Sequence, residues 1–356
     1  MSHHIYTIIS IVGARPQFIK LAAMHRSIAN EPSLRHVIVH SGQHYDFEMS
    51  GQFFDELEIP APDYNLEIGS GHHVEQMAKC MVGLVDVFNE IKPDMVLVYG
   101  DTNTTSAGAI AAAKCNIKLA HIEAGLREHD KSIPEEVNKL LTDSVTDLYF
   151  TPTETGRNKL ALEGKQENVH VTGDISLDLI YTPKMNALIR PQVESYIFMT
   201  CHRAANTDNL QNFEQIINAI SNINTHVIFA LHPRTKKILK DQYPDWNPSH
   251  VEMINPPGFW ETQAYIKFAD FVITDSGGII KEAYFHKVPA IIIDKQTEWI
   301  ETVHEGWNTI AGPNSGRILS AISEWKKPNV HTNCLGDGKA GARITFEILK
   351  YLNAQK

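Results

Sequence analysis

No apolar run in this chain reaches the roughly 18 residues that a membrane-spanning helix requires, so a helical membrane protein is not expected. The four cysteines, Cys80, Cys115, Cys201 and Cys334, stand far apart, form no C-x-x-C pair and match no zinc spacing. That argues against a disulfide framework or a zinc ribbon and for free thiols in a reducing compartment, the cytoplasm. Positive charge is in deficit: 32 Lys and Arg face 42 Asp and Glu, for a formal net charge of -10. Such a chain as a whole repels nucleic acid and anionic membranes, so any phosphate must be held by local donors. No G-x-G-x-x-G follows the first apolar run, and neither G-x-x-x-x-G-K-[ST] nor H-E-x-x-H occurs. Those absences argue against a nicotinamide fingerprint, a P-loop and a metalloprotease site. His72-His73 lacks neighbours at metal spacing and is expected in solvent. His3-His4 is expected at a frayed terminus, and the short apolar start, residues 6–12, reads as a first strand rather than a signal peptide.

What is present is a rhythm. With 356 residues the chain exceeds one comfortable core and suggests two domains. Residues 6–12, 36–40, 95–98 and 118–122 read as buried strands, separated by helix candidates at 18–29, 74–91 and 107–114. In the 74–91 stretch, Met77, Met81, Leu84, Val85 and Phe88 form the stripe expected to face the core. The rhythm pauses around 173–192, then restarts with strands at 196–200, 226–230, 271–274 and 290–293. This is the βαβ pattern of a parallel sheet, twice over. It predicts an α/β protein of two Rossmann-like, doubly wound domains, 1–173 and 174–338. An amphipathic last helix in 339–356 is expected to pack back on the first domain.

In open α/β sheets, ligands bind beyond the carboxyl ends of the strands. Here those ends read Arg15, then His40-Ser41-Gly42-Gln43-His44, Gly100-Asp101-Thr102, and His121 with Glu123. In the second half they read Cys201-His202-Arg203, His232-Pro233-Arg234 and Asp275-Ser276-Gly277-Gly278. Seven polar or glycine-rich ends favour one ligand in a cleft between two sheets. Ser276-Gly277-Gly278 opens a helix candidate at 279–285, where free N–H groups and the helix dipole suit a phosphate; a plain turn with a serine cap is the other reading. Other residues also read two ways. Asp101 could cap the helix that begins near Thr104, Glu135 could be an ordinary first-turn acid, and His202 could be a satisfied core histidine. Glu123 is harder to set aside, because an acid closing an apolar strand is costly to bury without purpose.

Taken in order, these ends, with Gly13-Ala14-Arg15-Pro16 followed by Lys20, His121-Ile122-Glu123-Ala124-Gly125-Leu126-Arg127, Pro134-Glu135-Glu136-Val137-Asn138 and Thr274-Asp275-Ser276-Gly277-Gly278 with Glu282, resemble the non-hydrolysing UDP-N-acetylglucosamine 2-epimerases. The resemblance covers nearly the whole chain. It implies the GT-B arrangement of two Rossmann-like domains with the active site in the interdomain cleft. It also implies a UDP-sugar substrate, no nicotinamide, metal or other cofactor, and a homodimer. The implied reaction inverts C2, taking UDP-GlcNAc to UDP-ManNAc by elimination of UDP to a 2-acetamidoglucal and re-addition. C2–H has no adjacent carbonyl, so direct deprotonation is implausible. The reaction therefore needs cations for the departing diphosphate, carboxylates for an oxocarbenium-like transition state, and an acid and a base at C2. By the resemblance, Asp101, Glu123, Glu135 and His202 are catalytic. Arg15, Lys20, Arg127, His232, Ser276, Gly277, Gly278 and Glu282 bind substrate, Arg15 because its planar fork suits phosphate oxygens. Three crowded acids are expected to raise at least one pKa.

Three departures stand out. Lys139 occupies a position where the best-known members carry arginine. The 128–133 stretch is shorter than in typical UDP-GlcNAc enzymes. With Thr297-Glu298-Trp299 and Gly306-Trp307-Asn308 it looks more like the branch acting on UDP-2,3-diacetamido-2,3-dideoxyglucuronic acid, for which Arg127, His129 and Lys131 are candidates to meet the uronate. Gln43-His44-Tyr45-Asp46, with no Arg-Gln pair in 69–76, departs from members that have a regulatory UDP-GlcNAc site and predicts no such activation. Three rival readings are a hydrolysing 2-epimerase, a GT-B glycosyltransferase and a non-catalytic nucleotide-sugar sensor. The intact Ala124-Gly125-Leu126-Arg127 argues against the first, and three acids near a diphosphate argue against the last.

Overall fold

The computed structural model describes residues 4–43 and 47–355. His3 and His44-Tyr45-Asp46, on which the terminal and regulatory-loop readings fall, lie outside the described residues. Among the described residues the first run of elements is β1 (Tyr6–Val12), α1 (Arg15–Ala29), β2 (Leu34–His40), α2 (Phe47–Leu57), β3 (Tyr64–Asn65), α3 (His73–Ile91), β4 (Met95–Tyr99), α4 (Asn103–Lys114), β5 (Lys118–Ile122), α5 (Pro134–Val145), β6 (Leu148–Thr151), α6 (Glu154–Leu162), β7 (Val169–Val171) and α7 (Leu177–Ile180). The second run is α8 (Pro183–Asn186), β8 (Tyr196–Thr200), α9 (Ala204–Thr207), α10 (Leu210–Ser221), β9 (His226–Ala230), α11 (Pro233–Gln242), β10 (Val251–Ile254), α12 (Phe259–Lys267), β11 (Phe271–Thr274), α13 (Gly277–Phe285), β12 (Ala290–Ile292), α14 (Ile300–His304), β13 (Asn308–Ile310) and α15 (Ser315–Glu324), before a closing α16 (Ala340–Ala354).

The first seven strands form a sheet in the order β3-β2-β1-β4-β5-β6-β7, and the last six a sheet in the order β10-β9-β8-β11-β12-β13. Every pairing is parallel. Strand order reverses between β1 and β4 and again between β8 and β11, the switch points where such sheets gather ligands. The strands β3, β6, β7, β10 and β13 were not foreseen from the sequence. Each has only two to four residues, too few to show a period.

In the first sheet, Ile9, Ile11, Val96 and Val98 pack with Cys80, Leu84, Val87 and Phe88 of α3. The buried stripe of α3 is therefore rotated from the expected one. Val85 is 37% exposed, and Met77 and Met81 are only partly buried. The helix rests on α4 as well as on the sheet, and α4 is small-residued and buried over most of its length. That second contact centres the buried arc on Leu84 and Val87.

The chain divides into two compact units, Met1–Thr182 with Leu335–Lys356, and Pro183–Cys334. Segment 174–182, expected with the second domain, lies with the first because its polar groups bond there. Asp174 N donates to Leu335 O at 2.7 Å. The Asp178 carboxylate accepts from Ala340 N at 3.0 Å and Gly341 N at 2.8 Å. In the same unit α16 meets α1 through Ser27 and Thr345, 2.8 Å between hydroxyls, and Tyr6 donates to Asn353 at 2.8 Å. Gly336-Asp337-Gly338-Lys339-Ala340-Gly341 has the spacing of a phosphate loop, yet Asp178 occupies the place at the helix start where a phosphate would sit. Burial raises that carboxyl to about 6, against the pull of the two amides. Among the described residues no helix is long and apolar enough to cross a membrane. The four cysteines are unpaired.

Candidate active site

At the end of β1 the chain turns through Gly13-Ala14 into α1. Gln17 braces this turn: its Oε1 accepts from Gly13 N at 2.8 Å and Ala14 N at 3.1 Å, and its Nε2 donates to Tyr99 O, at the end of β4, at 3.0 Å. Arg15 opens α1 with its guanidinium 4.2 Å from the Phe53 ring centroid. Burial lowers its pKa and Glu56 opposes the shift. Lys20, on the buried face of α1, reaches across to form an ion pair with Glu123. Glu123 follows β5 with φ +75°, in the left-handed region where a non-glycine residue is strained. The strained turn is held by Glu123 N and Ala124 N, which both donate to Phe150 O at 3.0 Å. Gly100 has φ +62°, and a Cβ on it would stand 2.9 Å from Lys20 Nζ and 3.1 Å from Glu123 Oε2. Only glycine there leaves room for the pair.

Asp101 comes next, and it does not cap α4. Thr102 does, its hydroxyl accepting from Thr105 N at 3.3 Å. The partly exposed Asp101 carboxylate faces Lys139 Nζ at 3.4 Å, and its main-chain oxygen accepts from Asn138 Nδ2 at 2.9 Å. Lys139, 3% exposed on α5, also lies 3.5 Å from Glu128 Oε2. Glu135 is exposed in the first turn of α5, one turn before Lys139 and on the same face. Its neighbour Glu136 is buried and accepts from Glu128 N at 2.8 Å and His129 N at 3.1 Å, which pins the start of the short 128–133 loop. The expected crowd of acids is thus met pairwise: Glu123 has Lys20 and Asp101 has Lys139.

Arg127, expected at the sugar, turns elsewhere. Its guanidinium donates to Glu163 at 2.7 and 2.9 Å and to Leu126 O at 2.7 Å, and pairs with Asp143 at 2.7 Å. Two carboxylates and a carbonyl engage it, so its donors are committed to buttressing the turn. Asp143 is fully buried and also meets His121 Nδ1 at 2.6 Å and Gly125 N at 3.1 Å, while His121 Nε2 stands 2.8 Å from Gly100 O. Burial pushes the Asp143 carboxyl up, but His121 and Arg127 outweigh it and hold it below its ordinary value.

In the second unit, Asp275 closes β11 with a fully buried carboxylate. It accepts from His202 N at 3.0 Å, Arg203 N at 3.0 Å and Asn206 Nδ2 at 3.0 Å, and so shapes the loop after β8. The His202 side chain is 38% exposed, not a core histidine; its Nδ1 is 3.3 Å from Asp275. Its ring centroid is 5.4 Å from that of His232, which is exposed and caps α11 by accepting from Arg234 N at 3.2 Å. Ser276 caps α13, and Gly277 and Gly278 are its first residues. Trp299 Nε1 donates to Gly277 O at 2.9 Å, and Glu282 is buried further along α13. Early amides of a nine-residue helix, fronted by glycine, form a seat for an anion.

Residues 26–350 match the family model described as UDP-N-acetylglucosamine 2-epimerase. The chain belongs to the UDP-N-acetylglucosamine 2-epimerase family. A Methanococcus maripaludis protein described as a UDP-N-acetylglucosamine 2-epimerase homolog is 44% identical, covering 97% of this chain and 99% of that one. A Pseudomonas aeruginosa UDP-2,3-diacetamido-2,3-dideoxy-D-glucuronate 2-epimerase is 37% identical over 96% of this chain and 99% of its own length. The crystal structure of Methanocaldococcus jannaschii UDP-GlcNAc 2-epimerase in complex with UDP-GlcNAc and UDP matches with a TM-score of 0.87 at 37% identity, covering 97% of this chain and 99% of that one. The two-sheet α/β architecture read from the sequence is thus that of the epimerase family's solved structures.

In this epimerase-family chain, sequence reasoning gave no role to Glu128, Glu136, Asp143 or Asp275, although Glu136 and Asp275 stand in its motifs, and noted Lys139 only as a departure. One signal was available. The face of α5 that turns inward carries Glu136, Asn138, Lys139, Thr142 and Asp143, while Val137 and Leu141 face out. A helix that reads inside out has polar work to do beneath it.

Proposed function

We propose that this chain is a non-hydrolysing 2-epimerase of a UDP-2-acetamido sugar, interconverting UDP-GlcNAc and UDP-ManNAc. The observation that carries the reading is the pair of lysine–carboxylate contacts at neighbouring strand ends, Lys20 with Glu123 and Lys139 with Asp101, with Glu135 one helical turn from Lys139. Fixed carboxylates beside fixed cations suit a reaction that moves a proton at C2 and develops positive charge at C1. In that reaction the C1–O bond breaks and its electron pair leaves with the β-phosphate oxygen. A carboxylate takes the C2 proton, and the C1=C2 bond of the 2-acetamidoglucal forms. The UDP oxygen then adds back to C1 as a proton arrives at the other face of C2. Asp101, Glu123 and Glu135 divide the acid, base and stabilising roles. His202 and Arg15 meet the diphosphate. Ser276, Gly277 and Gly278 hold UDP, with His232 alongside, and Glu282 accepts from the ribose hydroxyls. Water is not consumed, which separates this chemistry from the hydrolysing type. The reading includes a homodimer in the cytoplasm, as the resemblance and the free thiols suggest.

A second sugar is supported by the short 128–133 loop and by the P. aeruginosa relative: the 2,3-diacetamido uronate. With Arg127 engaged by Asp143 and Glu163, the exposed His129 and Lys131 are the remaining candidates to meet its carboxylate. The test is incubation with UDP-GlcNAc, and separately with the uronate, in D2O, followed by NMR. Deuterium at C2 of the epimerised sugar is the expected result, with hyperbolic kinetics and no activation by added UDP-GlcNAc. Free sugar would favour the hydrolysing rival, and turnover of neither substrate would leave a transferase or a sensor.

A further inference from the structure

Helix α5 buries its polar side, and most of those groups have a visible task. Glu136 pins the short loop. Asn138 donates to Asp101 O and Asn103 Oδ1 and accepts from Ser106 Oγ at 2.8 Å. Asp143 gathers His121, Arg127 and Gly125 N. Lys139 is the cation in this set. Its ammonium sits between Asp101 Oδ2 at 3.4 Å and Glu128 Oε2 at 3.5 Å, and Glu128 is itself almost fully buried. Both distances are longer than a tight charge-assisted hydrogen bond, so one point charge is shared by two carboxylates.

We propose that Lys139 is a positioning residue that holds the Asp101 carboxylate in place, and that Glu128 competes for the same ammonium and so couples Asp101 to the 128–133 loop. The proposal rests on Asp101 acting in the epimerisation. Among the described residues, Lys139 from α5 is the charged group that meets the Asp101 carboxylate, with Glu128 from the loop beyond it and His73 from α3 linked through Asn103 and Asn138. Across Gly100 stands the Lys20–Glu123 pair from α1 and the end of β5. Asp101 and Glu128 both meet the Lys139 ammonium. Removing the ammonium leaves two acids facing each other. Removing the Glu128 charge takes away one claimant on Lys139. The two changes therefore push the acid limb of kcat in opposite directions, which a loss of packing does not do.

The experiment measures kcat, KM and the pH profile of kcat for Lys139→Gln, Lys139→Arg, Glu128→Gln and Asp101→Asn in the full-length chain, with UDP-GlcNAc and the diacetamido uronate nucleotide. Lys139→Gln is expected to lose roughly tenfold or more in kcat, to change KM by less than about threefold, and to move the acid limb to higher pH. Glu128→Gln moves the limb to lower pH. Lys139→Arg, which keeps the charge, recovers most of the lost kcat. Movement of both limbs in one direction, or Lys139→Gln with an unchanged kcat and profile, overturns the proposal. So does a rise in KM at constant kcat. If Lys139→Gln fails to fold by circular dichroism, Glu128→Gln decides alone, and an unmoved limb overturns it. Near-normal turnover of Asp101→Asn would instead remove the role of Asp101 itself, a different failure.

Discussion

The two sheets share a strand order and differ in what they set at their carboxyl ends. The first unit places charges in pairs: Lys20 with Glu123, Lys139 with Asp101, and below them the buried His121, Asp143 and Arg127, with Glu163 at the surface end. The second places donors. Asp275 draws in the amides of His202 and Arg203, and α13 begins with Ser276-Gly277-Gly278. Side-chain charges held by partners can be aimed at individual atoms, at the cost of desolvation. Backbone amides at a helix start need no such partners, because the fold aims them already. The contrast teaches a division of labour: under the proposed reaction, the first unit governs the bonds at C1 and C2 and lends Arg15 to the diphosphate, while the second supplies most of the grip on UDP.

The hardest blow to that contrast is Asp143→Ala. It leaves His121 and Arg127 buried without their shared partner and is expected to cost about 3–5 kcal/mol in urea unfolding, as broken buried ion pairs do. A loss below about 1 kcal/mol would mean that the lower layer of charges does not hold the first unit's turns. Next in size, Asp101→Asn, Glu123→Gln and Glu135→Gln should each lower turnover by roughly 10²-fold or more, with the calorimetric affinity for UDP nearly unchanged. Near-normal rates in all three would refute the assigned chemistry. Ser276→Ala tests the other side. Losing the cap should cost about 1 kcal/mol of stability and weaken UDP several-fold, with kcat at saturation preserved; a lower kcat at constant UDP affinity would erase the distinction between the units.

The smallest effect concerns Asp178, a buried acid of the first unit that accepts from two backbone amides at the start of α16. The Asp178 carboxyl sits at about 6 in the fold against an ordinary 3.8, with burial as the main cause. The folded state therefore binds this proton more tightly than the unfolded one. Its contribution to stability is fullest below the ordinary value and declines as pH rises through about 6. Melting temperatures compared between pH 5 and pH 7 should show this slope in the parent chain and lack it in Asp178→Asn. An identical slope in both would assign the dependence to other groups.

Much of this was legible in advance. The strands at 6–12, 118–122, 196–200, 226–230 and 271–274 have those bounds in the structure. Asp101 after β4, His202 after β8 and Ser276 after β11 stand beside the two switch points, and Glu123 after β5 stands one strand further out. Three features differ from what the local pattern suggests. Val85 faces out because α3 packs on α4 as well as on the sheet. Asp101 gives up the cap because Thr102 takes it. Arg127 is drawn under the turn by Asp143 and Glu163, neither adjacent in sequence.

By itself the sequence determined the alternation of strand and helix and the residue types that stand at the strand ends. Both follow from short-range periodicity and backbone sterics, which a single segment carries within itself. Only the tertiary structure decided which acid meets which cation. Lys20 and Glu123 lie 103 positions apart, and the strength of a charge's partner depends on distance and burial in space, not on spacing along the chain.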